Sequence, residues 1–114
     1  VKVMTEALAH SLRNEDGAKT YIVDTEDGLP VGVVRFDNAG DGWEIGIAID
    51  AAARGRRLGA HVLEAAMSEL RADLPLAPVF GRVKHENAQS QALFESLGFT
   101  RTTEDECLVY LCTL

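Results

Sequence analysis

Long apolar runs, basic residues and cysteines are all scarce in this 114-residue chain. A membrane-spanning helix needs about 20 mostly apolar residues, so the sequence predicts no transmembrane helix. There are 11 Lys and Arg against 18 Asp and Glu, a net charge of −7. Because such a chain repels polyanions, it is a poor candidate for a nucleic-acid or anionic-membrane binder. Any anionic ligand must be held by a local concentration of positive charge.

The two cysteines indicate neither a disulfide nor a metal site. Cys107 and Cys112 lie five positions apart, a spacing that puts them on opposite faces of a strand. The three histidines are far apart in sequence, and no Cys/His ligand spacing occurs. The first residues lack the basic start and apolar run of a signal peptide. We expect no metal and a reduced, cytoplasmic location.

What the chain does have is an ordinary globular composition, 46% hydrophobic and 25% charged. We therefore expect one domain over residues 1–114. Apolar spacings of about four predict a helix over residues 1–13, and strands follow at 20–25, 31–36 and 43–49. In the third strand Glu44 lies on the face opposite Trp43, Ile45, Ile47 and Ile49. Short turns containing glycine join these strands, which predicts an antiparallel meander.

The hydrophobic period changes after residue 50. An apolar stripe at spacings of three and four predicts a helix over residues 58–73. A strand at 79–83, a helix at 88–97 and strands at 99–103 and 106–113 follow, with Gly98 as a left-handed helix stop. The order predicts an α/β (mixed α+β) fold, in which the meander is followed by β-α-β-α-β-β and the helices pack on a mixed sheet.

One segment concentrates positive charge. Three of the eleven basic residues fall within residues 54–57, directly before the long helix. Two glycines would let the backbone approach a ligand, and the helix start offers unpaired N–H groups. These features predict a pyrophosphate site, and the alternative is a solvated arginine-rich loop. The segment has neither the Walker A nor the Rossmann glycine spacing.

A second segment follows the strand at 79–83 and fits the pattern N-x-x-[A/S]-x-x-[L/F]-[Y/F]-x-x-x-G-F. With the basic segment, which fits [Q/R]-x-x-G-x-[G/A] at Arg54 and Gly59, it resembles the GNAT superfamily of acetyl-CoA-dependent N-acetyltransferases. The resemblance covers residues 29–111. The matching positions of the second motif are Asn87, Ser90, Leu93, Phe94, Gly98 and Phe99.

The resemblance implies a GNAT-like sheet with acetyl-CoA between two splayed parallel strands, here 43–49 and 79–83. The end of the first of these strands would pair with the pantetheine arm, and the basic loop would wrap the pyrophosphate. Asn87 would hydrogen-bond the arm, cap the helix at 88–97, or do both. The implied cofactor-binding residues are Ile47, Ala48, Ile49, Arg54, Gly55, Arg56, Arg57, Leu58, Gly59, Ala60, Asn87 and the motif position Phe94.

Three departures from the family pattern bear on function. Arg57 stands at a motif glycine, and Phe94 stands where many members carry a tyrosine that protonates the departing thiolate. Without a hydroxyl, Phe94 is expected to be a core residue with no catalytic role. The chain is also short at its start, as if the family's first strand and helix were absent. The strand at 20–25 would then be a sheet edge, which predicts a homodimer or a longer parent chain.

Acetyl transfer to an amine requires removal of a proton from an ammonium group. The candidate bases are Glu44, beside the implied thioester slot, and His85, just beyond the strand at 79–83. For Glu44 the alternative is an ordinary exposed strand residue. Backbone N–H groups near Ile47 would polarise the thioester carbonyl.

Three functions remain open at this point. The first is N-acetyltransfer by direct attack, from acetyl-CoA to a primary amine of a small molecule, an amino sugar for example, or of a protein. The second is a non-catalytic acyl-CoA-binding or regulatory module, which Phe94 favours. The third is a structural dimerisation domain without cofactor.

Overall fold

A computed structural model describes residues 7–15, 17–25, 28, 30–50, 58–104 and 106–114. Within them the sheet has seven strands in the order β1-β2-β3-β4-β5-β7-β6. The mixed α/β fold, the meander and the later β-α-β-α-β-β order are confirmed. The strands are β1 (Ala7–Glu15), β2 (Ala18–Thr25), β3 (Pro30–Asn38), β4 (Trp43–Ile49), β5 (Pro78–Val83), β6 (Thr100–Thr103) and β7 (Leu108–Thr113), and the helices are α1 (Gly59–Asp73) and α2 (Ala88–Ser96).

The helix predicted over residues 1–13 is wrong where the structure describes that segment. Strand β1 pairs antiparallel with β2, from Ala7 opposite Thr25 to Glu15 opposite Ala18. Gly17 closes the hairpin with a φ of +80°, a conformation that glycine adopts without strain. The ladder to β2 outweighs a local apolar spacing that fits a helix. Strand β2 is therefore not a sheet edge, and the self-association predicted from its exposed edge loses its basis.

Both helices pack on one face of the sheet. On α1 the residues Val62, Leu63, Ala66 and Leu70 are fully buried, and on α2 Phe94 is buried in the same cluster. The strands contribute their alternate residues to it, among them Tyr21, Val23, Val34, Phe36, Ile45 and Val79. The opposite face of the sheet, called here the reverse face, carries Ile22, Val33, Arg35, Asp37, Glu44, Ala48, Phe80, Arg82 and Leu111. Val33 and Leu111 are 38% and 41% exposed.

Strands β4 and β5 run parallel but soon part. Their pairing consists of Trp43 opposite Val79 and Glu44 opposite Phe80. Beyond that point β4 continues to Ile49 along β3, while β5 continues to Val83 along β7. The space between the two diverging strands is called here the β4–β5 gap. No helix of the described residues is long and apolar enough to cross a membrane.

Candidate active site

The start of helix α1 offers free backbone donors. Leu58 occupies the N-cap position with no side-chain cap, and the first turn contains no acidic residue. The Val62 N–H bonds to the Leu58 carbonyl at 2.9 Å, so the N–H groups of residues 59–61 have no acceptor within the helix. Uncapped N–H groups and the positive end of the helix dipole favour an anion. The predicted pyrophosphate ligands Arg54, Gly55, Arg56 and Arg57 lie outside the described residues.

Every second residue of β4 directs its backbone N–H and C=O groups toward the β4–β5 gap. The Asp50 N–H bonds to the Val31 carbonyl at 2.8 Å, continuing the β3–β4 register. Because antiparallel bonding alternates, Ala48 directs its backbone groups to Val33, whereas Ile47 and Ile49 direct theirs away from β3. Of the three residues predicted to pair with the pantetheine arm, Ile47 and Ile49 thus have the required orientation and Ala48 does not.

Asn87 caps helix α2, as one of its two expected roles requires. Its Oδ1 accepts a hydrogen bond from the Ser90 N–H at 3.1 Å. The side-chain nitrogen takes no part in that contact. The turn that carries Asn87 follows β5 directly and lies at the open end of the β4–β5 gap.

Gln91 fixes this turn, a role that the sequence reading missed. Its Nε2 donates to the His85 carbonyl at 2.8 Å and to the Lys84 carbonyl at 3.3 Å. The Asn87 N–H also bonds to the Lys84 carbonyl, at 3.0 Å. Gln91 therefore holds the backbone between β5 and α2 through one amide group. Its position one helical turn after the cap residue was the available signal.

Phe94 is a core residue, as its lack of a hydroxyl led us to expect. It is 4% exposed, and its ring centroid lies 5.0 Å from that of Phe99 and 5.4 Å from that of Tyr110. Tyr110 stacks on it and donates its hydroxyl to Oε2 of Glu95 at 3.0 Å. Burial raises the pKa of Tyr110, and the bond to Glu95 raises it further. The Tyr110 hydroxyl is thus hydrogen-bonded to a side chain of helix α2.

The two candidate bases lie at opposite ends of the β4–β5 gap. Glu44 is partly exposed on the reverse face, opposite Asp37 on β3 and Phe80 on β5, where the gap closes. Asp37 accepts a hydrogen bond from Nε of Arg35 at 2.8 Å. His85 is exposed in the turn after β5, where the gap is open. The structure does not bring the two together, so a single proton transfer would use one of them.

The family described as Acetyltransferase (GNAT) domain matches residues 2–100. The chain therefore belongs to the GNAT acetyltransferase family, whose members use acetyl-CoA as co-substrate. No curated protein gives a significant match. The family match includes the basic segment, the β4–β5 gap and the motif at the start of α2.

Solved structures share the fold at low sequence identity. A spermidine N-acetyltransferase SpeG F149G mutant from Vibrio cholerae aligns with a TM-score of 0.75 and 15% identity, over 88% of this chain and 66% of that one. The same enzyme in complex with CoA and spermine aligns at 0.71 and 16%, over 86% and 66%. The N-acetyltransferase PseH from Campylobacter jejuni in complex with acetyl coenzyme A aligns at 0.74 and 19%, over 87% and 70%. The chain thus spans about two thirds of these proteins.

Proposed function

We propose that this protein is an N-acetyltransferase that transfers the acetyl group of acetyl-CoA to a primary amine by direct attack. The observation that carries the proposal is the β4–β5 gap, which opens toward the uncapped start of α1. Family membership and the neighbour that holds acetyl coenzyme A support the same assignment.

The described residues fit the cofactor in two places. The free N–H groups of residues 59–61 suit a pyrophosphate. The backbone of Ile47 has no strand partner in the gap among the described residues, so it suits an amide-rich arm. Arg54, Arg56 and Arg57 would add charge next to the helix start. Bound acetyl-CoA would supply the activated acetyl thioester.

Within this site the protein's own groups prepare the acceptor. Glu44 takes the proton from the ammonium group, either directly or through water, because it lies where the gap closes and is open to the reverse face. The Ile47 N–H polarises the thioester carbonyl. Since Phe94 carries no hydroxyl, water or another group protonates the departing thiolate.

Acetyl-CoA calorimetry followed by a thiol-release assay with a panel of amines tests the proposal. The panel includes an amino sugar, an amino acid, a polyamine such as the one held by a neighbour, and a peptide. Binding with thiol release supports an enzyme. Binding without release from any amine would favour the non-catalytic acyl-CoA module, and absence of binding would favour a structural domain. The cytoplasmic location stays a prediction. So does the homodimer, although the sheet-edge argument for it no longer applies.

A further inference from the structure

We propose that the acceptor amine carries an anionic group, a phosphate or a carboxylate, and that Arg82 on the reverse face binds it. This inference rests on the proposed acetyl transfer and names the class of its acceptor. It assigns a specificity role to a residue outside both sequence motifs.

The reverse face is the side from which an acceptor can reach the gap. Helices α1 and α2 cover the other face, and the proposed pyrophosphate site at the start of α1 lies on that covered side. An arm that enters the gap from the helix side presents its thioester toward the reverse face. Glu44, the proposed base, opens to this face at the closed end of the gap.

Arg82 lies on the same face and borders the same gap. It is two residues beyond Phe80, which pairs with Glu44, so it shares the face of Phe80. Strand spacing and rise place the Cα atoms of Glu44 and Arg82 at least about 8 Å apart. One small molecule can span that distance, with its amine at Glu44 and an anion at Arg82.

The guanidinium of Arg82 is restrained by a neighbouring ring and is still accessible to an anionic ligand. Its Cζ lies 5.6 Å from the centroid of the Phe80 ring, a cation–π arrangement that restrains the side chain over the reverse face. Its Nε lies 3.9 Å from Oε2 of Glu104, with both side chains about half exposed, 52% and 54%. An exposed pair at that distance contributes little, so an anionic ligand can replace it at small cost.

The surroundings of Arg82 are asymmetric in charge. Glu104 and Glu106 line a shallow pocket with it on the side of β6 and β7, away from β4. The next residue of the same alternation is Lys84, which is exposed directly after the end of β5. Two cations thus follow one another along β5 and the turn after it. A polyamine would bring a second ammonium group against them, whereas a phosphate or carboxylate would complement them.

The experiment compares each anionic acceptor with an analogue that lacks the anion. Glucosamine is paired with glucosamine 6-phosphate, and alaninamide with alanine, in the thiol-release assay at saturating acetyl-CoA. We expect kcat/KM to be about tenfold higher or more for at least one anionic member, as a charge-assisted bond to Arg82 provides. The two pairs distinguish phosphate from carboxylate.

Arg82→Gln should reduce that preference to about twofold or less, because the charge-assisted bond to the anion is lost. Arg71→Gln is the matched control, because Arg71 is exposed in the last turn of α1, on the helix side of the sheet. It should keep the full preference. A preference that persists in Arg82→Gln, equal rates for both members of each pair, or a faster reaction with spermidine would overturn the inference.

A binding measurement separates this inference from the proposed chemistry. Glucosamine 6-phosphate and alanine are titrated calorimetrically into the protein with CoA present, without any turnover. Binding of either that Arg82→Gln abolishes supports the anion site even if no acetyl is transferred. Acetyl transfer to neutral amines, with no Arg82-dependent binding of either anionic probe, would retain the enzyme and reject the anion site.

Discussion

Gly81 on β5 and Phe94 on α2 are packed so closely that no side chain fits between them. A methyl group at Gly81 would overlap Cζ of Phe94 and lie 2.9 Å from its Cε2 atom. The contact fixes helix α2, and with it the turn bearing Asn87, against the strand that borders the gap. Because Gly81 has no side chain, the ring of Phe94 can pack in the core at its motif position.

The first prediction concerns this contact. Gly81→Ala should destabilise the protein by about 1–3 kcal/mol, because the added methyl overpacks a site with no free volume. Gly46→Ala is the control, since among the described residues an added methyl there would meet only a backbone oxygen, 3.9 Å away. Urea unfolding followed by circular dichroism measures both. Combining Gly81→Ala with Phe94→Leu should cost less than the sum of the single changes; additive costs would contradict the overlap.

The second prediction concerns alkaline stability. Burial and the bond to Glu95 raise the pKa of Tyr110 above its ordinary value of 10.0. A raised pKa in the folded state means that Tyr110 stabilises the fold below pH 10, and that this stabilisation is lost as the pH rises through the folded-state pKa. Urea midpoints of the wild type should therefore fall above pH 10 more steeply than those of Tyr110→Phe. Parallel pH profiles would remove Tyr110 as the titrating group. Tyr21, whose pKa burial also raises, is present in both proteins.

The local sequence pattern predicts most of the strands and helices correctly. It fails where contacts between residues distant in sequence determine the structure. Strand β4 has the bounds that its strict alternation predicts, and Gly98 has the predicted left-handed φ, at +80°. Strand β1 was missed, because its partner β2 supplies hydrogen bonds that no helical spacing reveals. In the site, Asn87 could be predicted as a cap from its residue type. The bonds from Gln91 could not, since they depend on where the turn after β5 folds back.

The third prediction tests the pyrophosphate loop. Arg56→Glu should weaken acetyl-CoA binding about tenfold or more, and wild-type affinity should fall as salt rises. Arg71→Glu, the same charge change at the far end of α1, should leave affinity within about twofold. Calorimetry measures both, and unchanged affinity in Arg56→Glu would remove the assignment.

Arg57→Gly should hold or improve the affinity for acetyl-CoA if the Arg57 side chain hinders backbone approach. A clear loss of affinity would show that Arg57 itself contacts phosphate.

The fourth prediction concerns the base. Glu44→Gln should lower kcat by about a hundredfold or more, because general-base catalysis contributes on that scale, and should leave acetyl-CoA affinity intact. Asp41→Asn, in the exposed turn before β4, controls for the loss of one negative charge. Steady-state kinetics across pH, with an acceptor found in the amine panel, provide the measurement. Full turnover in Glu44→Gln at every pH would shift the role to His85.

The fifth prediction separates positioning from folding at Gln91. Gln91→Glu keeps the shape of the side chain but removes the amide donor that holds the carbonyls of Lys84 and His85. The turn bearing Asn87 should then loosen, since both carbonyls lose a partner and face a carboxylate. We expect the KM for acetyl-CoA to rise about tenfold, with a smaller change in kcat, as lost cofactor positioning predicts.

Gln89→Glu is the matched control, because Gln89 is exposed on the same helix two residues earlier. It introduces the same charge without touching the turn, so its KM should equal that of the wild type. Gln91→Met, which is uncharged and cannot donate, should raise KM like Gln91→Glu. This result would assign the effect to the missing donor, because charge alone cannot explain it. If Gln91→Met binds acetyl-CoA normally while Gln91→Glu does not, repulsion of the cofactor by the new carboxylate is the cause, and Gln91 does not position the turn.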